Sequence, residues 1–251
     1  MTISADRAER QLSYVLHSRP YRETSALVDY FSRDSGVIRA VAKGVRSAKS
    51  RQRHLTQPFQ LLELNWRGRN DLKTLLGGEL AESSTLLQGR SLWCGLYLNE
   101  LTLRLVPQGD AFPKLFAYYQ LALQRLSDPD EQEPVLRIYE RKLLQQLGLG
   151  VDFERSVTSA EIAPQSNYRF DPQQGFIEQP VAADYNDPLQ GRFYYLGSLI
   201  LAVAADDYRL AEVRRGAKRL MRQALSPYLG GRPLNSRELF LGTPVSDSTV
   251  L

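Results

Sequence analysis

The first 80 residues alternate apolar and polar positions over short runs. Gln11–His17 places Leu12, Tyr14 and Leu16 on one side and Ser13, Val15 and His17 on the other. This period of two predicts a strand. SRPYRE follows with turn chemistry at Pro20. Thr24–Ser32 is rich in β-branched and aromatic residues, and Arg33-Asp34-Ser35-Gly36 reads as a type I turn. In GVIRAVAK, Ile38, Ala40 and Ala42 share one face, and Arg39, Val41 and Lys43 the other. Pro58–Trp66 predicts a fourth strand, Arg67-Gly68-Arg69-Asn70 a tight turn, and Asp71–Leu76 a fifth strand. Five short strands with turn signals suit a small barrel, although the pattern does not separate an OB-fold from an SH3-like barrel.

Beyond residue 80 the period changes to that of helices. Leu87, Trp93, Tyr97, Leu101 and Leu105 recur at helical spacing over residues 84–106, and a second helix is expected over 111–126. A third, over 134–147, starts at Pro134 and stops before Gly148 and Gly150. Residues 151–186 turn polar and Pro-rich, with NYRFDPQQGFIEQ reading as an irregular hairpin. Helices are expected again over 189–204 and 207–225, with a short one at Ser236–Phe240. The expected fold class is therefore α+β. A five-stranded barrel over 1–80 precedes a mainly helical domain over 81–251, interrupted by a small irregular β hairpin.

Composition narrows the function classes. Cys94 is the single cysteine of the 251 residues, and His17 and His54 are the only histidines. These counts exclude an internal disulfide and a Cys/His zinc site. They fit a reducing compartment. The longest apolar run, Leu196–Ala205, is ten residues, against about 20 for a spanning helix. The N-terminal residues carry charge where a signal peptide carries an apolar core. A cytoplasmic protein is the expectation.

The net charge of +4 hides a partition: residues 1–80 carry +6, residues 81–208 carry −7 and residues 209–251 carry +5. Two basic ends around an acidic middle suggest a polyanionic partner, against the plain alternative of solvated surface. The first excess centres on RAVAKGVRSAKSRQR, where Arg39, Lys43, Arg46, Lys49, Arg51 and Arg53 stand without an acid. Gly44, Ser47 and Ser50 predict a flexible stretch with accessible backbone N–H groups, able to track a phosphate backbone. Trp66, Arg67 and Arg69 lie in or beside the next hairpin. Trp66 is either a core residue or a platform for a base, and the arginines could stack too. The second excess lies on the helix over 207–225. Its apolar stripe is Leu210, Val213, Ala217, Leu220, Met221 and Ala224, with Arg214, Arg215, Lys218, Arg219 and Arg222 roughly opposite. Only Glu212 balances them locally.

Catalytic patterns are sparse. Asp130, Glu140 and Lys142 mimic the PD…ExK spacing of Mg²⁺-dependent nucleases, but Glu140 and Lys142 fall in a helical stretch that points them apart. No GxxxxGK phosphate loop is present. Asp206-Asp207 reads as a helix start, and Cys94 as a small buried residue.

YVLHSRPYRETSALVDYFSRDSGVIRAVAKGVRSAKS, LTQPFQLLELNWRGRNDLKTL, GLYLNELTLRL and YLGGRPLNSRELF resemble the RecO family of DNA-repair proteins over almost the whole chain. The resemblance implies an N-terminal OB-fold and a helical C-terminal domain. It implies a non-enzymatic recombination mediator that binds single- and double-stranded DNA and anneals complementary strands. It also implies partnership with RecR and single-stranded DNA-binding protein (SSB), and a functional link to RecA loading. Many family members carry a four-cysteine zinc module where this chain has residues 151–186, which contain no cysteine; this chain resembles the zinc-free branch. An SSB tail ends in acidic residues and a Pro-Phe carboxylate, so its receptor needs an apolar pocket beside positive charge. Arg137 sits where the family places a basic residue for that tail. Arg141 is one turn later, and Phe116 and Tyr119 are candidates for the pocket wall. A general RNA-binding OB protein and the Mg²⁺-dependent nuclease remain the alternatives.

Overall fold

The computed structural model describes residues 7–82, 86–179 and 194–240, with the side chains of 7–9 left aside. The chain divides into two compact units. One comprises Met1–Pro129 with Pro233–Leu251, the other Asp130–Arg232.

In the first unit, β1 (Arg7–Tyr21), β2 (Ser25–Ser32), β3 (Gly36–Ala42), β4 (Leu62–Arg67) and β5 (Leu72–Leu80) close into a barrel ordered β1-β2-β3-β5-β4. Only the β3–β5 pair is parallel; the other four pairings are antiparallel. This is the five-stranded OB-like barrel expected from the alternation. Inward positions supply a core of Val15, Val28, Tyr30, Ile38, Ala40, Leu62, Leu64, Trp66 and Leu75. β1 runs past the expected turn at Pro20, which still pairs with Ala26, because one strand serves both β4 and β2. Its register slips between Val15 and His17. The carbonyls of Val15 and Leu16 accept from Asn99 Nδ2, at 3.3 and 3.0 Å, so the bulge leaves no orphaned acceptor there.

Helices α1 (Gly89–Leu105) and α2 (Pro113–Arg125) cover one side of this barrel. Tyr14 and Phe31 stack against Phe116 and Tyr119 of α2, with ring centroids 5.1–5.9 Å apart. This second layer buries Phe31 on the outer side of β2, a strand whose eight residues are all buried. At the β2–β3 turn, Gly36 (φ +61°) is required twice over, since a Cβ there would lie 1.8 Å from the Asp110 carbonyl oxygen. The C-terminal 3-10 turn Asn235–Phe240 returns to α1. Glu100 accepts from the Asn235 and Ser236 amides and from Ser236 Oγ at 2.7–3.0 Å. These bonds hold its carboxyl below the usual range against the opposing push of burial.

In the second unit, α3 (Gln132–Gln146) and α4 (Gly197–Ala204) both pack on α5 (Ala211–Leu225). Beside them lies a three-stranded sheet ordered β7-β6-β8, from β6 (Asn167–Asp171), β7 (Gly175–Gln179) and β8 (Tyr194–Leu196). The expected hairpin is β6–β7. The helix expected over 189–204 is corrected: residues 194–196 extend to pair with β6, and α4 begins at Gly197. Residues 189–193 lie outside the described ones. The core of this region is aromatic. Phe170 meets Phe176 at 5.1 Å, Phe176 meets Phe153 at 5.7 Å, and Phe170 meets Tyr195 at 6.4 Å.

Candidate nucleic-acid interface

The basic loop begins where β3 leaves the barrel. Val45 (2% exposed) and Leu55 (fully buried) are both core residues, so they nail the loop down at two points. Tyr30 Oη donates to the Leu55 carbonyl at 2.9 Å, and burial raises its pKa. Between these anchors the chain arches outward as consecutive turns. Ser47 N donates to Gly44 O at 3.1 Å and Ser50 N to Ser47 O at 3.0 Å. Of the backbone N–H groups expected to be accessible, those of Ser47 and Ser50 close these turns.

Lys43, Arg46, Lys49, Arg51 and Arg53 are all exposed. Arg46 reaches the β1–β2 turn, donating from Nη1 to the carbonyls of Arg22 and Glu23 at 3.3 and 3.4 Å, while its amide donates to Thr24 O at 2.8 Å. Arg53 Nη2 donates to the carbonyls of Ser47 and Ala48, at 3.1 and 3.2 Å. These acceptors are neutral, so both guanidiniums shape the loop without losing their charge. The end of β1 adds Arg19 and the β1–β2 turn adds Arg22, both exposed, with Arg22 5.3 Å from the Tyr21 ring centroid. Sequence reading missed these two. Their signal was the SRPYRE turn, which joins the loop only through barrel closure.

Along the wall from this end, Arg39 projects outward between the buried Ile38 and Ala40. It pairs in register with Asp29 of β2 and Leu72 of β5. Arg67 and Arg69 are exposed on the β4–β5 hairpin, which precedes Leu72 and therefore sits toward the far end of β3. Arg39 thus stands between the loop and the hairpin. Trp66 is 4% exposed, inside the barrel, and offers no stacking platform.

In the second unit, α5 buries Val213, Gly216, Ala217, Leu220, Met221 and Ala224. A Cβ at Gly216 would fall 2.2 Å from a Leu199 methyl carbon, so glycine lets α4 approach. Leu210 leaves the expected stripe: it is the N-cap residue and is 58% exposed. Neither Asp206 nor Asp207 starts the helix. Asp206 (φ +55°) accepts from Arg141 Nη2 at 2.6 Å, and Asp207 pairs with Arg209, which lowers its pKa to about 2. On the cationic face, Arg215 and Arg222 are exposed. Arg214 Nη1 donates to the carbonyls of Tyr208 and Arg209 at 2.9 and 3.0 Å. Lys218 Nζ is 3.8 Å from Glu133 of α3. Arg219 lies 4.5 Å above the Tyr195 ring and donates to Tyr194 O at 2.8 Å. Burial pushes the Tyr195 phenol up to about 12, and its hydroxyl donates to Gln223 at 2.9 Å.

The residues expected to receive an acidic tail are distributed differently. Phe116 and Tyr119 are 3% and 0% exposed in the core of the first unit. Arg137 is buried in the second unit, its Nη1 2.9 Å from Glu140. Arg141 lines a cavity of about 450 Å³ with Leu144, Val151, Phe153, Ala204 and Met221. The nuclease arrangement does not assemble: Glu140 is fully buried on α3 beside Arg137, and Asp130 lies in the turn before that helix. Among the described residues, no helix is long and apolar enough to cross a membrane. Cys94 is buried in α1.

Two family models match the chain. The one described as recombination protein O N terminal covers residues 8–84, and recombination protein O C terminal covers 87–238. The chain is similar to the DNA repair protein RecO of Pseudomonas aeruginosa (strain LESB58), at 46% identity over 93% of this chain and 95% of the relative. Against the DNA repair protein RecO of Cellvibrio japonicus (strain Ueda107), identity is 43% over 95% of this chain and 99% of the relative. Against that of Haemophilus influenzae (strain 86-028NP) it is 41% over 93% and 96%.

Proposed function

The chain belongs to the RecO family of DNA repair proteins, and from that premise we propose that it is a non-enzymatic recombination mediator that binds single- and double-stranded DNA and anneals complementary strands. The observation that carries the reading is the barrel end where Lys43, Arg46, Lys49, Arg51 and Arg53 stand exposed beside Arg19 and Arg22. Arg46 and Arg53 are held there by neutral carbonyls. Two DNA strands repel each other through their phosphates. A protein that neutralises phosphates on both, releasing their counterions, lowers that repulsion. Exposed arginine planes can keep bases unpaired and presented. No bond is made or broken, so the reaction needs no nucleophile or general base. Arg39, Arg67 and Arg69 extend this surface along the barrel. The face of Arg214, Arg215, Lys218, Arg219 and Arg222 supplies a second, for the other strand.

On the same premise the protein works with RecR and SSB to promote RecA loading. For the SSB tail, the cavity offers an apolar wall at Phe153 and Leu144 beside the Arg141 guanidinium, which also bonds Asp206 and has Asp152 and Glu154 in the same lining. Arg137 supports that site from within, through its pair with Glu140. Arg141→Gln is expected to weaken binding of an SSB tail peptide, read by fluorescence anisotropy; unchanged affinity would remove this site.

The test of the reading is annealing of complementary strands coated with SSB. The protein should accelerate duplex formation, and excess unlabelled single-stranded RNA should compete less well than single-stranded DNA. No acceleration overturns the reading, and better competition by RNA favours a general RNA binder.

A further inference from the structure

One acidic side chain stands out on the basic barrel wall. Asp29 lies mid-β2, in register with His17 of β1 on one side and Arg39 of β3 on the other. It is 5% exposed. Its Oδ1 accepts from Arg39 Nε at 2.6 Å, and its Oδ2 lies 3.8 Å from His17 Nδ1. The next position in the row is Leu72 of β5, which is exposed.

A carboxylate on a surface that meets a polyanion opposes binding by charge alone. Its geometry gives it a different use. An arginine side chain has long, mobile torsions, and ordering it on a ligand costs rotamer entropy. Engagement through Nε fixes the plane of the guanidinium while leaving the Nη edge open, and that edge is the one that donates two parallel bonds to a phosphate. The Arg39 side chain is 43% exposed, so its outer edge reaches solvent. Leu72, in register beside it, gives an apolar contact for a sugar or base.

We propose that Asp29 is a positioning residue for DNA binding: it holds Arg39 by Nε so that the Nη edge receives one phosphate of a strand crossing β3. This rests on the reading of the barrel wall as a DNA-binding surface.

The two effects of Asp29 have opposite signs, which makes the test decisive. Asp29→Asn removes a negative charge without changing shape. If the carboxylate acted only through its charge, binding of a fluorescent oligothymidine would tighten. Positioning gives roughly five- to tenfold weaker binding. It also gives a log-affinity versus log-salt slope shallower by about 0.7 for one lost phosphate contact. In an Arg39→Gln background only the charge effect remains, so adding Asp29→Asn should weaken binding no further. Unchanged or tighter binding by Asp29→Asn overturns the proposal, and so does additivity with Arg39→Gln. Arg39→Lys serves if Asp29→Asn does not fold. It keeps the charge and loses Nε and the planar fork, so it should bind more weakly than the wild type though not as weakly as Arg39→Gln, and wild-type affinity would overturn the proposal. Failure of the wild type to bind the oligonucleotide would instead bring down the functional reading itself. Tight wild-type binding that falls on neutralising Lys43, Lys49 and Arg51, but not with Asp29→Asn, removes only the positioning role.

Discussion

The basic loop of the barrel and the basic face of α5 present similar charge by different means. The loop runs through irregular turns into a 3-10 turn at Arg53–Thr56 and is held from outside. Val45 and Leu55 sink into the core, while Arg46 and Arg53 bind carbonyls. The α5 face is rigid because it is a helix, and its cations are held by what surrounds them. Arg219 is stacked on Tyr195, Arg214 is tied to the carbonyls before the helix, and Lys218 is near Glu133. The loop therefore offers more undiminished charge, with Lys43, Lys49 and Arg51 exposed and, among the described residues, paired with no acid. On α5 that freedom is clearest at Arg215 and Arg222. In the loop the guanidiniums of Arg46 and Arg53 bind carbonyls and so organise the surface, whereas Arg104 pairs with Glu100 and ties α1 to the C-terminal turn.

The comparison can be broken most severely from the side of the second unit. Phe176 is fully buried at the centre of the aromatic core, and Phe176→Ala should cost about 3–5 kcal/mol. In thermal unfolding it should lower the transition of that unit. The α5 contribution to DNA binding should fall with it and the loop contribution should persist. Next, replacing Lys43, Lys49 and Arg51 together by glutamine leaves the anchoring residues in place. It should weaken single-strand binding about ten- to a hundredfold at 0.1 M salt and flatten the salt slope by about 2. Replacing Arg215 and Arg222 by glutamine should have a smaller effect on binding, about three- to tenfold. It should slow annealing more than it weakens binding, because annealing needs a second strand; equal effects in gel-shift and annealing assays would merge the two faces into one. Arg46→Ala should have the smallest effect, with two exposed carbonyl bonds worth together about 1 kcal/mol. It should quicken protease cleavage within residues 46–53 and flatten the salt slope by about 0.7, the share of one phosphate contact.

Much of the barrel was legible because inward positions alternate cleanly in β3 and β4, at Ile38 and Ala40 and at Leu62 and Leu64. Its second layer was not: Tyr14 and Phe31 face Phe116 and Tyr119, and alternation along one strand carries no information on what covers its other side. That is also why Phe116 and Tyr119 read as pocket residues and proved to be core. The charge of the loop was visible as a run of residues. Its order was not, since it depends on the Arg22 and Glu23 carbonyls in another turn. The Asp29–Arg39 pair was hidden in the strand register. Residues 194–196 read as helix because LGSLILAVAA follows, yet pairing with β6 outweighs local propensity. A single tryptophan near a strand end, Trp66, could not reveal whether it pointed inward.

The most direct test of the central claim is the salt dependence of single-stranded DNA binding by the wild type and by the Lys43, Lys49 and Arg51 variant. A steep wild-type slope that flattens by about 2 in the variant is the expected result. The same slope in both proteins would contradict the claim that the barrel loop tracks the phosphate backbone.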